Sequence, residues 1–199
     1  MKNNKQAIDE FWSWFSDMSI RLASNTADQS LIRELDTWIR GLHPKLSWEL
    51  GPGISKSWQL VISPNLDANL RAEAALIVSR APSLSEWEFH ALRQPKDWNY
   101  TFELQREVGG VTPVDASKWR FVLLQYPSGS HEILLVGDDL SGFTDDERWH
   151  AAAITLESIL GEEILLDRIA HFELGDQIDK KFAGTERPIR MLRDAVMGN

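Results

Sequence analysis

The sequence predicts an α+β protein, an N-terminal helical pair followed by two β-β-α-β units that form an antiparallel-rich sheet with helices packed on it. Three observations carry that expectation. Apolar residues recur at helical spacing through residues 6–42. From Leu46 the period drops to two, with Leu46, Trp48 and Leu50 alternating against polar neighbours. The order strand, strand, helix, strand read over 46–92 then recurs over 118–174. The chain has 199 residues, 43% hydrophobic and 26% charged, which is enough apolar material for a substantial core.

The first helix, residues 6–23, turns Ile8, Phe11, Trp12, Phe15, Met18 and Leu22 inward and leaves Trp14 off that stripe. Ser30 is the expected N-cap of a second helix that buries Leu31, Leu35, Ile39 and Leu42 or Trp38, stopped by Gly41 and Pro44. Gly51-Pro52-Gly53 ends the first strand, and its proline rules out a phosphate cradle. Trp58 to Ile62 form the second strand, Leu66 to Val78 a helical stripe, and Trp87, Phe89 and Ala91 the alternation of a third.

Tyr100, Phe102 and Leu104 predict one more strand, and Gly109-Gly110 with Pro113 a flexible linker. In the second unit Trp119 to Tyr126 and Ile133 to Val136 read as strands around a Pro127-Ser128-Gly129-Ser130 turn. Thr144 and Glu147 have the spacing of a capping box opening a helix that buries Trp149, Ala152, Ala153, Leu156, Ile159 and Leu160 up to Gly161. A strand within Leu166–Leu174 closes the unit, and Pro188 opens a short final helix. The expected divisions are 1–45, 46–108, 109–176 and a basic tail over 177–199, all within one compact domain sharing one core.

Cysteine is absent, which excludes disulfides, thiolate catalysis and Cys-ligated metals. No apolar run is long enough to span a membrane, and the N-terminus leads into a charged helix rather than a signal segment, so a cytoplasmic location is expected. Residues 138–176 hold eleven of the thirty acidic residues against Arg148 and Arg168 alone, and so carry the whole net charge of −9. That balance disfavours nucleic acid and favours a basic protein partner. Asp138, Asp139, Asp145, Asp146, Glu162 and Glu163 are the candidate docking carboxylates. Among nine tryptophans, Trp14 and Trp98 fit their local apolar patterns least and are the candidate exposed aromatics.

Nucleotide, zinc-protease and serine-hydrolase signatures are missing, so no catalytic residue is assigned and no cofactor or metal is expected. The Asp138-Asp139-Leu140-Ser141-Gly142 run fails as a calcium loop, because Gly137 and Arg148 fall where carboxylates are needed. One constellation remains. His90 with Glu88 and His171 with Glu173 occupy matched last strands of the two units, and would form an acid–base or metal site if those strands adjoin. Exposed cross-strand residues are the plainer reading of the same pattern.

The stretch Trp58-Gln59-Leu60-Val61-Ile62-Ser63-Pro64, with Ala81-Pro82-Ser83-Leu84-Ser85-Glu86-Trp87-Glu88-Phe89 beyond it, resembles a group of uncharacterised bacterial α+β proteins. The resemblance covers residues 46–92 best and extends to Leu160-Gly161-Glu162. It implies the fold and a bacterial source, and offers no catalytic residues to carry over. The functional expectation is therefore a non-catalytic protein-binding module, in concrete form an immunity-type inhibitor. The alternative is an enzyme or small-ligand protein with its site between the two units.

Overall fold

The computed structural model describes residues 4–25, 28–137 and 140–198, so Asp138 and Asp139 lie outside the described residues. The architecture is α+β, with six α-helices and nine strands among the described residues. The chain divides into two compact units, Met1–Arg93 and Gln94–Asn199.

The first unit opens with the helical pair α1 (Asn4–Ser24) and α2 (Gln29–Leu42). The N-cap of α2 is Asp28 rather than Ser30, since the Asp28 carboxylate accepts the Ser30 and Leu31 amides and the Ser30 hydroxyl as well. The helix also passes through Gly41 and ends at His43. Strands β1 (Ser47–Pro52) and β2 (Trp58–Ser63) pair antiparallel. A 3-10 turn and α3 (Arg71–Ser79) then return the chain to β3 (Trp87–His90), parallel to β2, in the order β1-β2-β3.

Aromatic packing dominates this core. Phe11, Trp12, Phe15 and Trp87 are buried, and the Phe15 ring meets Trp87 edge-on at 5.0 Å and Phe89 at 5.5 Å. The buried Trp12 indole donates to the Ile77 carbonyl at 2.8 Å and so pins α1 to the end of α3. Arg80 grips Asp9 with both carboxylate oxygens engaged at 2.6–2.7 Å, reinforcing the same seam.

In the second unit β4 (Thr101–Gln105) and β5 (Val111–Asp115) form a hairpin. The expected Gly109-Gly110 linker is thus a turn: both glycines take positive φ, and the Arg106 amide donates to the Gly110 carbonyl at 3.0 Å. That pairing moves β4 into the second unit and places the division at 93/94 instead of 108/109. β6 (Arg120–Gln125) and β7 (His131–Val136) follow antiparallel, then α4 (Asp145–Leu160), α5 (Glu162–Arg168) and β8 (Ile169–Gly175) parallel to β7. α5 occupies residues expected to belong to the strand. Gly161, at φ 81°, redirects the chain, and Glu162 and Glu163 suit the first turn of a new helix.

β9 (Arg187–Pro188) borders β6, completing the order β8-β7-β6-β9, and α6 (Leu192–Met197) buries Leu192 and Val196. The Thr144–Glu147 capping box is formed in both directions. Trp149, expected inside, is 43% exposed: it sits near the start of α4, and the burial of that helix is concentrated further along, from Ala151 to Leu160. Its ring lies against Phe172 of β8 at 5.7 Å instead.

Candidate functional site

The acidic segment does not make one surface among the described residues. Asp145 and Asp146 are exposed in the first turn of α4, where the helix dipole favours them. Glu163 is exposed and Glu162 fully buried beyond the other end of that helix. Glu162 is therefore withdrawn from any docking role. The 16 residues of α4 set its two ends roughly 24 Å apart, more than twice the ~10 Å Debye length, so the two groups act separately. Asp176 is paired with Arg148 at 2.9 Å. Two arginines of the basic tail are engaged elsewhere: Arg193 donates to the Ile159 carbonyl at the end of α4, and Arg187 stacks on Phe121.

Glu88 and His90 are together, with His90 Nε2 3.2 Å from Glu88 Oε1. The carboxylate is already committed. It accepts the Ile54 amide at 2.5 Å, the Ser55 amide at 2.9 Å, the Lys56 amide at 3.1 Å and the Ser55 hydroxyl, so that the β1–β2 loop wraps around it. Burial by itself would raise its pKa. The Ser55 hydroxyl, the Ile54 amide, the His90 ring and the Ser55 amide overcome that and hold it well below the usual carboxylate range. A carboxylate so saturated is a loop anchor rather than a proton shuttle or metal ligand. His171 and Glu173 stand exposed two residues apart on β8, in the other unit. Among the described residues no group of three or more His, Asp and Glu side chains is placed to hold a metal ion.

The two aromatic candidates are half-buried rather than exposed. Trp98 lies against Tyr100 and Phe102, at 5.3 and 6.2 Å between ring centres. Trp14 leads somewhere more informative. Its indole N–H donates to Glu34 Oε1 at 2.7 Å, and its ring lies 5.9 Å from that of Trp38. Beside this pair α1 and α2 leave a groove of about 330 Å³ lined by Ala7, Glu10, Glu34, Trp38, Gly41 and Leu42, with Thr37 at its side.

The pattern behind this groove is helical. Ala7, Glu10 and Trp14 follow one face of α1, and Glu34, Trp38 and Gly41 one face of α2. Small residues at 7 and 41 keep the floor low, and a Cβ built at Gly41 would meet nothing within 4 Å. The result is an apolar slot with an indole wall and two carboxylates on its lining. Glu10, Glu34 and Trp38 were missed as site residues because the stripe that defines the groove spans two helices whose crossing is a tertiary fact. The signal available was a tryptophan and a glutamate at i and i+4 on an otherwise polar face.

A second groove in the same unit, about 510 Å³, is lined by Ile20, Ala23, Trp58, Leu84 and Trp87 with Glu86 beside them. In that groove the Glu86 carboxylate accepts the Ser57 hydroxyl at 2.6 Å.

Comparison of the chain with protein-family models, curated proteins and solved structures finds no match. No described helix is long and apolar enough to cross a membrane.

Proposed function

We propose that this protein is a non-catalytic protein-binding module that docks a basic partner, in concrete form an immunity-type inhibitor acting in a bacterial cytoplasm. The observation that carries this reading is the α1–α2 groove, in which an indole wall and the Glu10 and Glu34 carboxylates combine the two features that recognise cationic protein surfaces. The net charge of −9, carried by residues 138–176 of the other unit, attracts a basic partner to the protein as a whole. The chemistry elsewhere favours binding over catalysis. Glu88 and Glu147, the two carboxylates pulled furthest from ordinary behaviour, are both consumed by structural hydrogen bonds.

The test is capture of partners on the tagged full chain from source cells at low and high salt, followed by reconstitution with the purified captured protein. A basic protein whose purified complex weakens as salt rises supports the reading. Capture of no basic protein, or a reconstituted complex indifferent to salt, overturns it.

A further inference from the structure

We infer that the groove between α1 and α2 receives a single arginine side chain of the partner, its guanidinium on the Glu34 carboxylate and its stem along Ala7, Gly41 and Leu42 against Trp38. The inference rests on the basic-partner reading and names the point of contact.

Three features select arginine. First, Glu34 is held ready. Trp14 Nε1 fixes one carboxylate oxygen at 2.7 Å, while Oε2 accepts no hydrogen bond among the described residues. A carboxylate positioned in advance, with an oxygen to spare, loses little freedom on binding. Second, the Trp38 indole lines the groove together with residues as small as Ala7 and Gly41. A planar, weakly hydrated guanidinium stacks on an indole and still donates to a carboxylate at its edge, whereas a lysine ammonium would have to shed a tightly held water shell to enter. Third, Glu10 lines the same groove and adds a second negative charge near the entering cation, while its Oε1 accepts Gln6 Nε2 at 3.0 Å and its carboxylate is engaged within the protein. The aliphatic stem of arginine covers the apolar remainder, including Leu42.

The probe is N-acetyl-L-arginine amide, titrated into the intact protein and followed by the indole N–H resonances of Trp14 and Trp38, assigned with Trp14→Phe and Trp38→Phe. The lysine and citrulline analogues run beside it, citrulline being the neutral near-isostere of arginine. Saturating shifts of these two indoles with arginine, weaker by about tenfold or more with citrulline, and lost in Glu34→Gln, support the assignment. Equal shifts with citrulline, or no shift with arginine, overturn it; so does tighter binding of the lysine analogue.

Gly41→Phe supplies a second arm. A Cβ at this position meets nothing within 4 Å; the ring it carries should fill the groove and abolish the arginine-induced shifts, with circular dichroism and urea unfolding checking that the fold is kept. Applied to the reconstituted complex, the same variant separates the two ideas. Undiminished affinity for the basic partner would discard the arginine groove and keep the reading of function. Arginine binding in the groove with no basic partner ever captured would keep the groove and discard that reading.

Discussion

β1-β2-α3-β3 in the first unit and β6-β7-α4-β8 in the second share one connectivity: an antiparallel hairpin whose second strand passes through a helix to a parallel neighbour. A buried glutamate ties each unit, but at different points. Glu88 sits on the last strand and gathers the amides of Ile54, Ser55 and Lys56 from the hairpin loop, with the His90 ring beside it. Glu147 sits in the first turn of the crossover helix. It accepts the Thr144 and Glu107 amides and the Arg106 guanidinium, which ties the β4–β5 turn to the start of α4. The strand order leaves open where the polar anchor goes. The anchor falls where a loop presents amides that no strand satisfies, and those loops differ between the units.

The cores differ as well, and the largest expected effect tests that difference. Phe15 is fully buried among Trp12, Trp87 and Phe89, so Phe15→Ala should cost about 3–5 kcal/mol in urea unfolding, against about 2–5 for Leu156→Ala in the second unit, whose core holds mostly aliphatic side chains with Trp119 and Phe121. A Leu156 variant that proves the more damaging would show that the aromatic cluster is the looser of the two.

Glu88→Gln comes next, at about 3 kcal/mol, since several loop donors lose a charged acceptor together. It also has a signature in pH. The native pKa of Glu88 is depressed, so its contribution is full above the unfolded glutamate value of about 4.3 and is lost as pH falls through the lower native value. Glu147 behaves alike: the Arg106 guanidinium and the Thr144 amide hold its pKa at about 2. Wild-type stability should therefore fall between about pH 5 and pH 2, and the Glu88→Gln curve should be flatter. Parallel curves would mean that the hairpin loop does not depend on a charged Glu88.

Smaller effects sharpen the comparison at the helices. Thr144→Ala removes half of the capping box and should lower stability by about 1 kcal/mol; no change would leave the start of α4 to Glu147 and Arg106 alone. Gly41→Ala, at an open position within α2, should raise stability by up to about 1 kcal/mol. A loss there would mean that the groove floor tolerates no added methyl.

Legibility in the sequence followed the range of the interaction. The capping box at Thr144 and Glu147, the Gly161 stop and the apolar stripe of α1 were all readable, because each is decided within a turn or two of helix. Trp149 was misplaced because helical spacing finds a face, while the neighbours decide which turns of that face are covered. The docking carboxylates were misjudged in the same way: charge density along the chain does not reveal that Glu162 turns inward while Asp145 and Asp146 sit a helix length away.

The sequence by itself determined the helical pair, the two-fold recurrence of strand, strand, helix, strand, and the exclusion of cysteine chemistry. These follow from periodicity, turn residues and composition, which are local or additive. Only the tertiary structure decided that Gly109-Gly110 closes a hairpin, that Glu88 is consumed by the amides of a distant loop, and that Trp14 fixes Glu34 at a groove between two helices. Each of those depends on which surfaces meet. Side chains twenty or more residues apart, as Trp14 and Glu34 are, become neighbours only through the packing of the unit, and that packing assigns a carboxylate to a structural bond or leaves it open to a partner.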